Sequence, residues 1–392
     1  MSTATSTLLD HASDPPSPAP GQEHSPNDLQ GITESLQAAV LSDEAHASPV
    51  LKRHRDLWFS DGSVVLRAED TLFRVHMSQL SRKSLFFRHM FDMPPPSQSL
   101  GSNADAADSM LEGCPLLTME DAAEDWINLL HALYDGPWFG NNDRDDFRVV
   151  SGILRLSTKY IIDSLRKRAL DHLLVAWPST LKDWDAREDI ARIYELETAN
   201  HRGFRYPSPI AIIDLAREND TPELLPAAFY DLSRYHFHEI YESGEGEPLS
   251  QPPLAHTLGA SDIQRLTLGK EAALHTITTL IQSMGNGPHR DAVHPTHLSH
   301  PRHNRRSSGS VCVSAAACRK DFEELVELAT QHYLFDRGRG CCDPLYAAEE
   351  LGQLKSAEFS ECKACARALE SWAARERQRI WKMIPSWFRL KP

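Results

Sequence analysis

Asp56-Leu-Trp-Phe-Ser-Asp-Gly-Ser-Val-Val-Leu-Arg-Ala-Glu-Asp-Thr-Leu-Phe-Arg-Val-His76, continued by Met77-Ser-Gln-Leu-Ser-Arg-Lys-Ser84-Leu-Phe-Phe-Arg-His-Met-Phe91, is the stretch on which the fold turns. Its first half reads as short strands between turns. Leu57-Trp58-Phe59 leads into Asp61-Gly62, a hairpin-type turn signal. Val64-Val65-Leu66 forms the next strand, and Leu72-Phe73-Arg74-Val75 follows the break at Glu69-Asp70. The second half reads as helix, over His76–Leu80 and Ser84–Phe91, with Ser84 placed to cap the second segment.

Outward from this core the text becomes helical. Pro94-Pro95-Pro96 stops the second segment, and a polar loop runs to about Gly113. Cys114–Met119 reads as a strand, at a sheet edge because Pro115 cannot donate a ladder bond. Ala123–Tyr134 spaces Trp126, Leu129, Leu130 and Leu133 as one helical face. Asp146–Trp177 predicts a pair of helices closed by Pro178. Helices are then expected over Ile190–Leu196, Ile210–Glu218, Leu224–Ile240, from Ser261 or Asp262 to Ile281, Phe322–Tyr333, Pro344–Leu354, and Cys362–Ile384 ending before Pro385.

The fold class read from this order is α+β: a small mixed sheet capped by helices over 53–177, then mainly helical regions over 178–283 and 311–392. Residues 1–52 are expected to be a disordered acidic tail, and 284–310 a disordered linker rich in His and Arg. The net charge of −14 is uneven: residues 1–50 carry seven acids and no Lys or Arg, half of the total. An acidic balance argues against general affinity for phosphate backbones or anionic membranes. No run of about 18 apolar residues exists to span a bilayer. The start of the chain lacks the basic and apolar pattern of a secretory signal, and seven irregularly spaced cysteines fit reduced thiols. An intracellular protein of cytoplasm or nucleus is expected.

No phosphate-binding glycine loop, nucleophile elbow or zinc-protease motif occurs, so no enzyme is expected. His236, His238 and Glu239 read as polar helix surface, since positions two apart point to different faces. Cys362-x2-Cys365 and the looser Cys312-x5-Cys318 supply four thiols, enough to close a tetrahedral zinc site. Buried structural thiols in a helical bundle are the commoner cause of such spacing and the favoured reading. Cys341-Cys342, being adjacent, are read as uninvolved. The His-rich linker favours a spacer over a weak metal site. The basic C-terminus, with Arg367, Arg375, Arg377, Arg379, Lys382, Arg389 and Lys391 interleaved with Trp372, Trp381 and Trp387, fits an amphipathic helix burying Leu369, Trp372, Ile380 and Met383 better than a nucleic-acid surface.

The opening stretch resembles a BTB (POZ) domain. The family pattern places an Asp before the first strand, then Phe-x-Val-His, a short helix with Leu, and Ser-x-x-Phe-x-x-Met-Phe; Asp56, Phe73, His76, Leu80, Ser84, Phe87, Met90 and Phe91 fall on it. Leu129-Leu130-x-x-Leu133-Tyr134-Asp135-Gly136 and Leu154-x-Leu156-x-x-Lys159-Tyr160-x-Ile162-x-x-Leu165-Arg166 resemble the helices that follow. Trp177-Pro178 and Arg379-Ile-Trp381-Lys-Met-Ile-Pro385-x-Trp387-Phe388 resemble the long BTB proteins expanded in mushroom-forming fungi. The resemblance implies protein–protein interaction: homodimerisation through the first strand and helices, and for some members recruitment of cullin-type ubiquitin ligase scaffolds or corepressors. The interface it implies draws on Asp56, Leu57, Trp58, Phe59, His76, Met77, Leu80, Phe87 and Phe91. Met77 stands where corepressor-binding members carry a basic residue, and the 92–113 insertion lies near the surface a cullin partner uses. The expected role is a dimerising adaptor, with no membrane contact and no nucleic-acid partner. The alternative is a nuclear regulator using the basic terminal helix and structural zinc.

Overall fold

Three consecutive apolar residues, Val64-Val65-Leu66, cannot all face one side of a strand. In the computed structural model, which describes residues 51–93, 110–241, 249, 258–285, 312, 314–336, 340–353 and 362–391, both faces of that strand are covered. The strands are β1 (Lys52–Trp58), β2 (Val64–Ala68), β3 (Thr71–Val75), β4 (Met110–Leu111) and β5 (Cys114–Met119), in the order β1-β3-β2-β5-β4. Val64, Leu66, Phe73 and Val75 face the main core, while Val65, Leu72 and Cys114 form a second small cluster on the other face. The sheet curls around that cluster: Arg53 on edge strand β1 pairs with Glu112, which follows the opposite edge strand β4.

The Asp61-Gly62 turn does not make a hairpin. Strand β1 starts at Lys52, the last residue of the expected tail, and pairs in parallel with β3; the antiparallel hairpin is β2–β3 instead. Its turn is made by Glu69-Asp70, with Glu69 at φ 52°. Strand β5 is not an edge strand either. It pairs in parallel with β2 and antiparallel with β4, and Pro115 is opposite Met110 of the two-residue edge strand. Only Leu57 of β1 is buried, as fits an outermost strand.

Helices α1 (Met77–Lys83) and α2 (Leu85–Asp92) meet at Ser84, whose hydroxyl accepts from the Phe87 N–H and donates to the Tyr160 carbonyl at 2.6 Å. This cap ties α2 to the end of α4 (Arg144–Lys159). Helix α3 (Ala123–Tyr134) buries the apolar face expected of it, and Trp126 and Phe87 pack around Tyr160. Then come α5 (Asp163–Ala176), α6 (Leu181–Thr198), α7 (Pro209–Glu218), α8 (Leu225–Ser233), α9 (Phe237–Tyr241), α10 (Ala260–Met284), α11 (Ala315–Thr330), α12 (Pro344–Gln353) and α13 (Lys363–Trp387). One continuous core runs from Leu57 to Phe388, across the boundary at 177–178 and into the C-terminal region. The architecture is mixed α+β. The tail at 1–50 and nearly all of the linker at 284–310 lie outside the described residues, as does most of the 92–113 insertion.

Several helix boundaries differ from the expectation: α6 starts at Leu181 and not Ile190, α11 starts at Ala315 and not Phe322, and two further differences have a visible cause. The single helix expected over Leu224–Ile240 is broken after Ser233, because the ammonium of buried Lys270 takes the carbonyls of Ser233 and Tyr235, which would otherwise accept helical N–H groups. Helix α13 continues through Pro385, where the proline costs one ladder bond in the last turn while Trp387 and Phe388 stay buried. Phe388 lies directly on Gly269 of α10, so a Cβ there would meet the ring at 1.9 Å. Gly269→Ala is therefore expected to destabilise the protein by about 1–3 kcal/mol through overpacking. Urea unfolding measures it; an unchanged midpoint would mean the two helices can separate at no cost.

Candidate metal centre and interaction surface

Cys362 is the N-cap of α13 and Cys365 lies in its first turn; Cys312 precedes Ser314, the N-cap of α11, and Cys318 lies on that helix. Two helix starts thus converge, each presenting a pair of thiols. The four sulfurs lie within 4.8 Å of one another. Cys312 Sγ is 3.6 Å from Cys318 Sγ and 3.8 Å from Cys365 Sγ, and none of the four cysteines is in a disulfide. A tetrahedral zinc thiolate site with bonds of about 2.3 Å has sulfur–sulfur edges of about 3.8 Å. The four can hold a metal ion.

Cys318, Cys362 and Cys365 are buried, and Cys312 is half-buried. Burial, followed by hydrogen bonding with Cys312, pushes the Cys318 thiol up to about 12. Burial and the contacts of Cys362, Cys318 and Cys312 push Cys365 further up. Metal-free, Cys318 and Cys365 hold their protons at neutral pH, so an arriving cation must displace them and its affinity falls with acidification. The helix N-termini offset part of that cost, since their partial positive charge favours thiolate.

The interface residues named from the sequence divide into two sets. Leu57, Leu80 and Phe87 are 2%, 1% and 0% exposed and belong to the core; they are packed against the chain itself and offer nothing to a partner. Their apolar character, the reason for naming them, is used by the sheet-on-helix contact. Asp56 is exposed, and Trp58, Phe59, His76, Met77 and Phe91 are half-buried. The guanidinium of Arg53 covers the Trp58 ring at 4.7 Å. His76 contacts Tyr134 Oη at 2.8 Å and Asp61 at 3.3 Å, while Phe59 stacks on Tyr134 with centroids 4.7 Å apart. The strand end at His76 is thereby locked to the end of α3. Exposed apolar side chains missed in the sequence lie on α2 and at its end: Leu85, Phe86 and Met93.

Of the basic residues at the C-terminus, Arg377 is half-buried, and Arg367, Arg375, Arg379, Lys382, Arg389 and Lys391 are exposed. Arg377 pairs with Asp185 at 2.5 Å and Glu349 at 3.3 Å, Arg379 pairs with Glu376, and the Trp381 indole N–H donates to the Ser179 carbonyl at 3.0 Å. Leu369, Trp372 and Ile380 are buried, as the amphipathic reading expects, and Met383 is half-buried. Arg377 departs from that reading, because it sits in ion pairs and not in solvent.

The sequence carried no sign of a buried ion-pair network between α6, α8 and the start of α12. Arg187 pairs with Asp231 and Glu188; Arg234 pairs with Glu188, Asp231 and Asp343; Tyr230 donates to Asp343 at 2.6 Å. Nor did it show that His236, on the α8–α9 connection, meets Cys341 and Cys342, with the three ligand atoms within 4.8 Å of one another. The partners in both groups are up to about a hundred residues apart, and no local pattern announces them.

No described helix is long and apolar enough to cross a membrane. No protein-family model matches the chain, and no curated protein matches it either.

Proposed function

We propose that the chain is a non-enzymatic adaptor built on a BTB-type domain, dimerising through β1 and the first helices, with the four-cysteine centre holding a structural zinc. The observation that carries this reading is the arrangement of the opening stretch: a small mixed sheet, its Phe-x-Val-His strand pinned through His76 to Tyr134, and two short helices joined by the Ser84 cap. These are the positions on which the sequence pattern falls. Leu85, Phe86 and Met93, at 40%, 39% and 64% exposed, form an apolar surface beside them that a second copy of the chain can cover. Four thiols, three of them buried, are enough to fill a tetrahedral site, which suits a structural ion more than a catalytic one that keeps a position open.

Sedimentation equilibrium on the full chain at tens of micromolar tests the dimer. The expected result is a dimer that Leu85→Glu with Phe86→Glu converts to monomer, without loss of helical signal. A strict monomer in the parent chain overturns dimerisation. The finer role, delivery of a bound protein to a cullin-type ubiquitin ligase, is supported only by the sequence resemblance. Affinity purification that repeatedly returns no cullin counts against it. The nuclear-regulator alternative keeps the exposed basic residues of α13 but loses Arg377, which is spent on ion pairs with Asp185 and Glu349.

A further inference from the structure

Cys341 and Cys342 lie in a turn whose geometry is imposed, not incidental. Gly340 adopts φ 85°, and a Cβ there would meet the Tyr346 ring at 2.3 Å. The Asp343 N–H donates back to the Gly340 carbonyl at 2.9 Å, closing the turn in front of α12. The Asp343 carboxylate caps that helix through the Tyr346 N–H and accepts from Tyr230 and Arg234, so the turn is anchored in the buried ion-pair network. On the other side, His236 is held by the break between α8 and α9. Lys270 fixes the carbonyls around it, and the Glu239 carboxylate accepts from the His236 N–H.

The two supports bring one imidazole and two thiols together. The sulfurs of Cys341 and Cys342 are 3.7 Å apart, the edge length of a tetrahedral thiolate site, against the expectation that neighbouring cysteines are poorly placed to share an ion. The imidazole completes a triangle whose ligand atoms all lie within 4.8 Å, and no fourth such atom joins them among the described residues. We propose that His236, Cys341 and Cys342 form a second metal site, for a thiophilic divalent cation of the Zn2+ type, with its fourth position left for water or an incoming ligand.

The charge around the site fits. Two thiolates neutralise the ion, and Lys270, 7% exposed, acts electrostatically on both thiols and on Glu239. The Glu239 carboxylate is engaged as a helix cap, which leaves the imidazole and the two sulfurs as the donors. His236 and Glu239 also line a small polar cavity with Arg234 and Tyr235, so solvent reaches the His236 side of the site. The four-cysteine centre is different: three of its four ligands are buried, whereas here His236 and Cys342 are half-buried. The second site therefore exchanges its ion faster.

The test is Zn2+ binding by the full chain under reducing conditions, read by elemental analysis and by the rate of release to a chromogenic chelator. The parent chain is expected to bind two equivalents, one released quickly and one slowly. Cys342→Ser and His236→Asn, both at half-buried positions, are each expected to remove the fast equivalent and keep the slow one; Cys365→Ser does the reverse. Co2+ at the fast site should show weaker thiolate charge-transfer absorption than at the slow site, since two sulfurs replace four. The proposal is independent of the four-cysteine zinc: were that centre metal-free, one equivalent would remain, sensitive to Cys342→Ser and to His236→Asn but not to Cys365→Ser. It is overturned if Cys342→Ser and His236→Asn bind as much Zn2+ as the parent chain. A parent chain whose metal is lost entirely with Cys365→Ser overturns it equally.

Discussion

Replacing Cys365 by serine is expected to abolish the slowly exchanging zinc and to lower the stability of the C-terminal helices more than any other single cysteine change. Cys365 is fully buried and contacts Cys312 in the four-thiol cluster. Serine there loses a ligand and places a hydroxyl in an apolar surround, which alone costs roughly 1–3 kcal/mol when unsatisfied. The larger effect comes through linkage. An ion that binds only the folded form stabilises it by about 4 kcal/mol when free metal exceeds Kd a thousandfold.

An ion held by the four thiols would join the starts of α11 and α13, two elements that the chain itself connects only over a long separation. Its removal by a strong chelator should therefore lower the melting temperature of the parent protein and leave the Cys365→Ser variant unmoved. Because the thiols must release protons to bind, zinc retention falls as the pH is lowered. Thermal melting with and without chelator, together with metal content, measures all of this. A parent protein purified without zinc under reducing, chelator-free conditions, and melting identically with added Zn2+, would sink the zinc assignment.

That centre was half legible in the sequence. The C-x2-C spacing of Cys362 and Cys365 marks them, and Cys312 with Cys318 supplies a second pair, yet buried thiols were the favoured reading because spacing alone does not say whether two pairs meet. Convergence of two helix starts decides it, and this is set by packing across the core. Helix α3 was legible to the residue because its apolar spacing and its burial coincide. Ser84 was legible as a cap because the signal is local. The pairing of β1 was not, since Asp61-Gly62 is good turn chemistry whichever strand comes next to β1. The break after Ser233 was hidden for a different reason: the agent, Lys270, lies elsewhere in the sequence and acts on backbone carbonyls. Leu57, Leu80 and Phe87 show the limit of reading apolar residues as interface, because apolar character marks burial without saying against what.

The second large effect expected is at Arg234. Its guanidinium meets three carboxylates, those of Glu188, Asp231 and Asp343, with its side chain 9% exposed and theirs between 6% and 14% exposed. The three acids together with Arg187 and Arg234 bring α6, α8 and the turn before α12 to one point. The surrounding carboxylates hold the Arg234 guanidinium well above its ordinary value despite the opposing effect of burial, so it is charged at every accessible pH. Arg234→Ala removes one positive charge and takes from the Asp343 carboxylate the guanidinium it pairs with. Removing one partner of a buried pair costs about 3–5 kcal/mol, because the other charge stays behind unneutralised.

Arg234→Lys should recover only part of the loss. One ammonium cannot reproduce the forked contacts by which the guanidinium holds Glu188 through both terminal nitrogens while also reaching Asp231 and Asp343. The pH dependence has a definite sign. In Arg234→Ala the Asp343 carboxylate is left without its cation, whereas Asp231 and Glu188 keep Arg187, so the folded variant favours an added proton at Asp343 that the unfolded chain does not. Its deficit against the parent protein should therefore shrink as the pH falls towards about 4, the ordinary carboxylate range. Because Asp343 also anchors the turn carrying Cys341 and Cys342, the variant should release its faster-exchanging zinc more readily than the parent does. Urea unfolding at pH 7 and pH 5, with zinc release followed in parallel, measures the three effects. A loss below about 1 kcal/mol at pH 7, in the range of a solvent-exposed pair, would mean that water reaches these carboxylates and that the network does not hold the two halves of the molecule together.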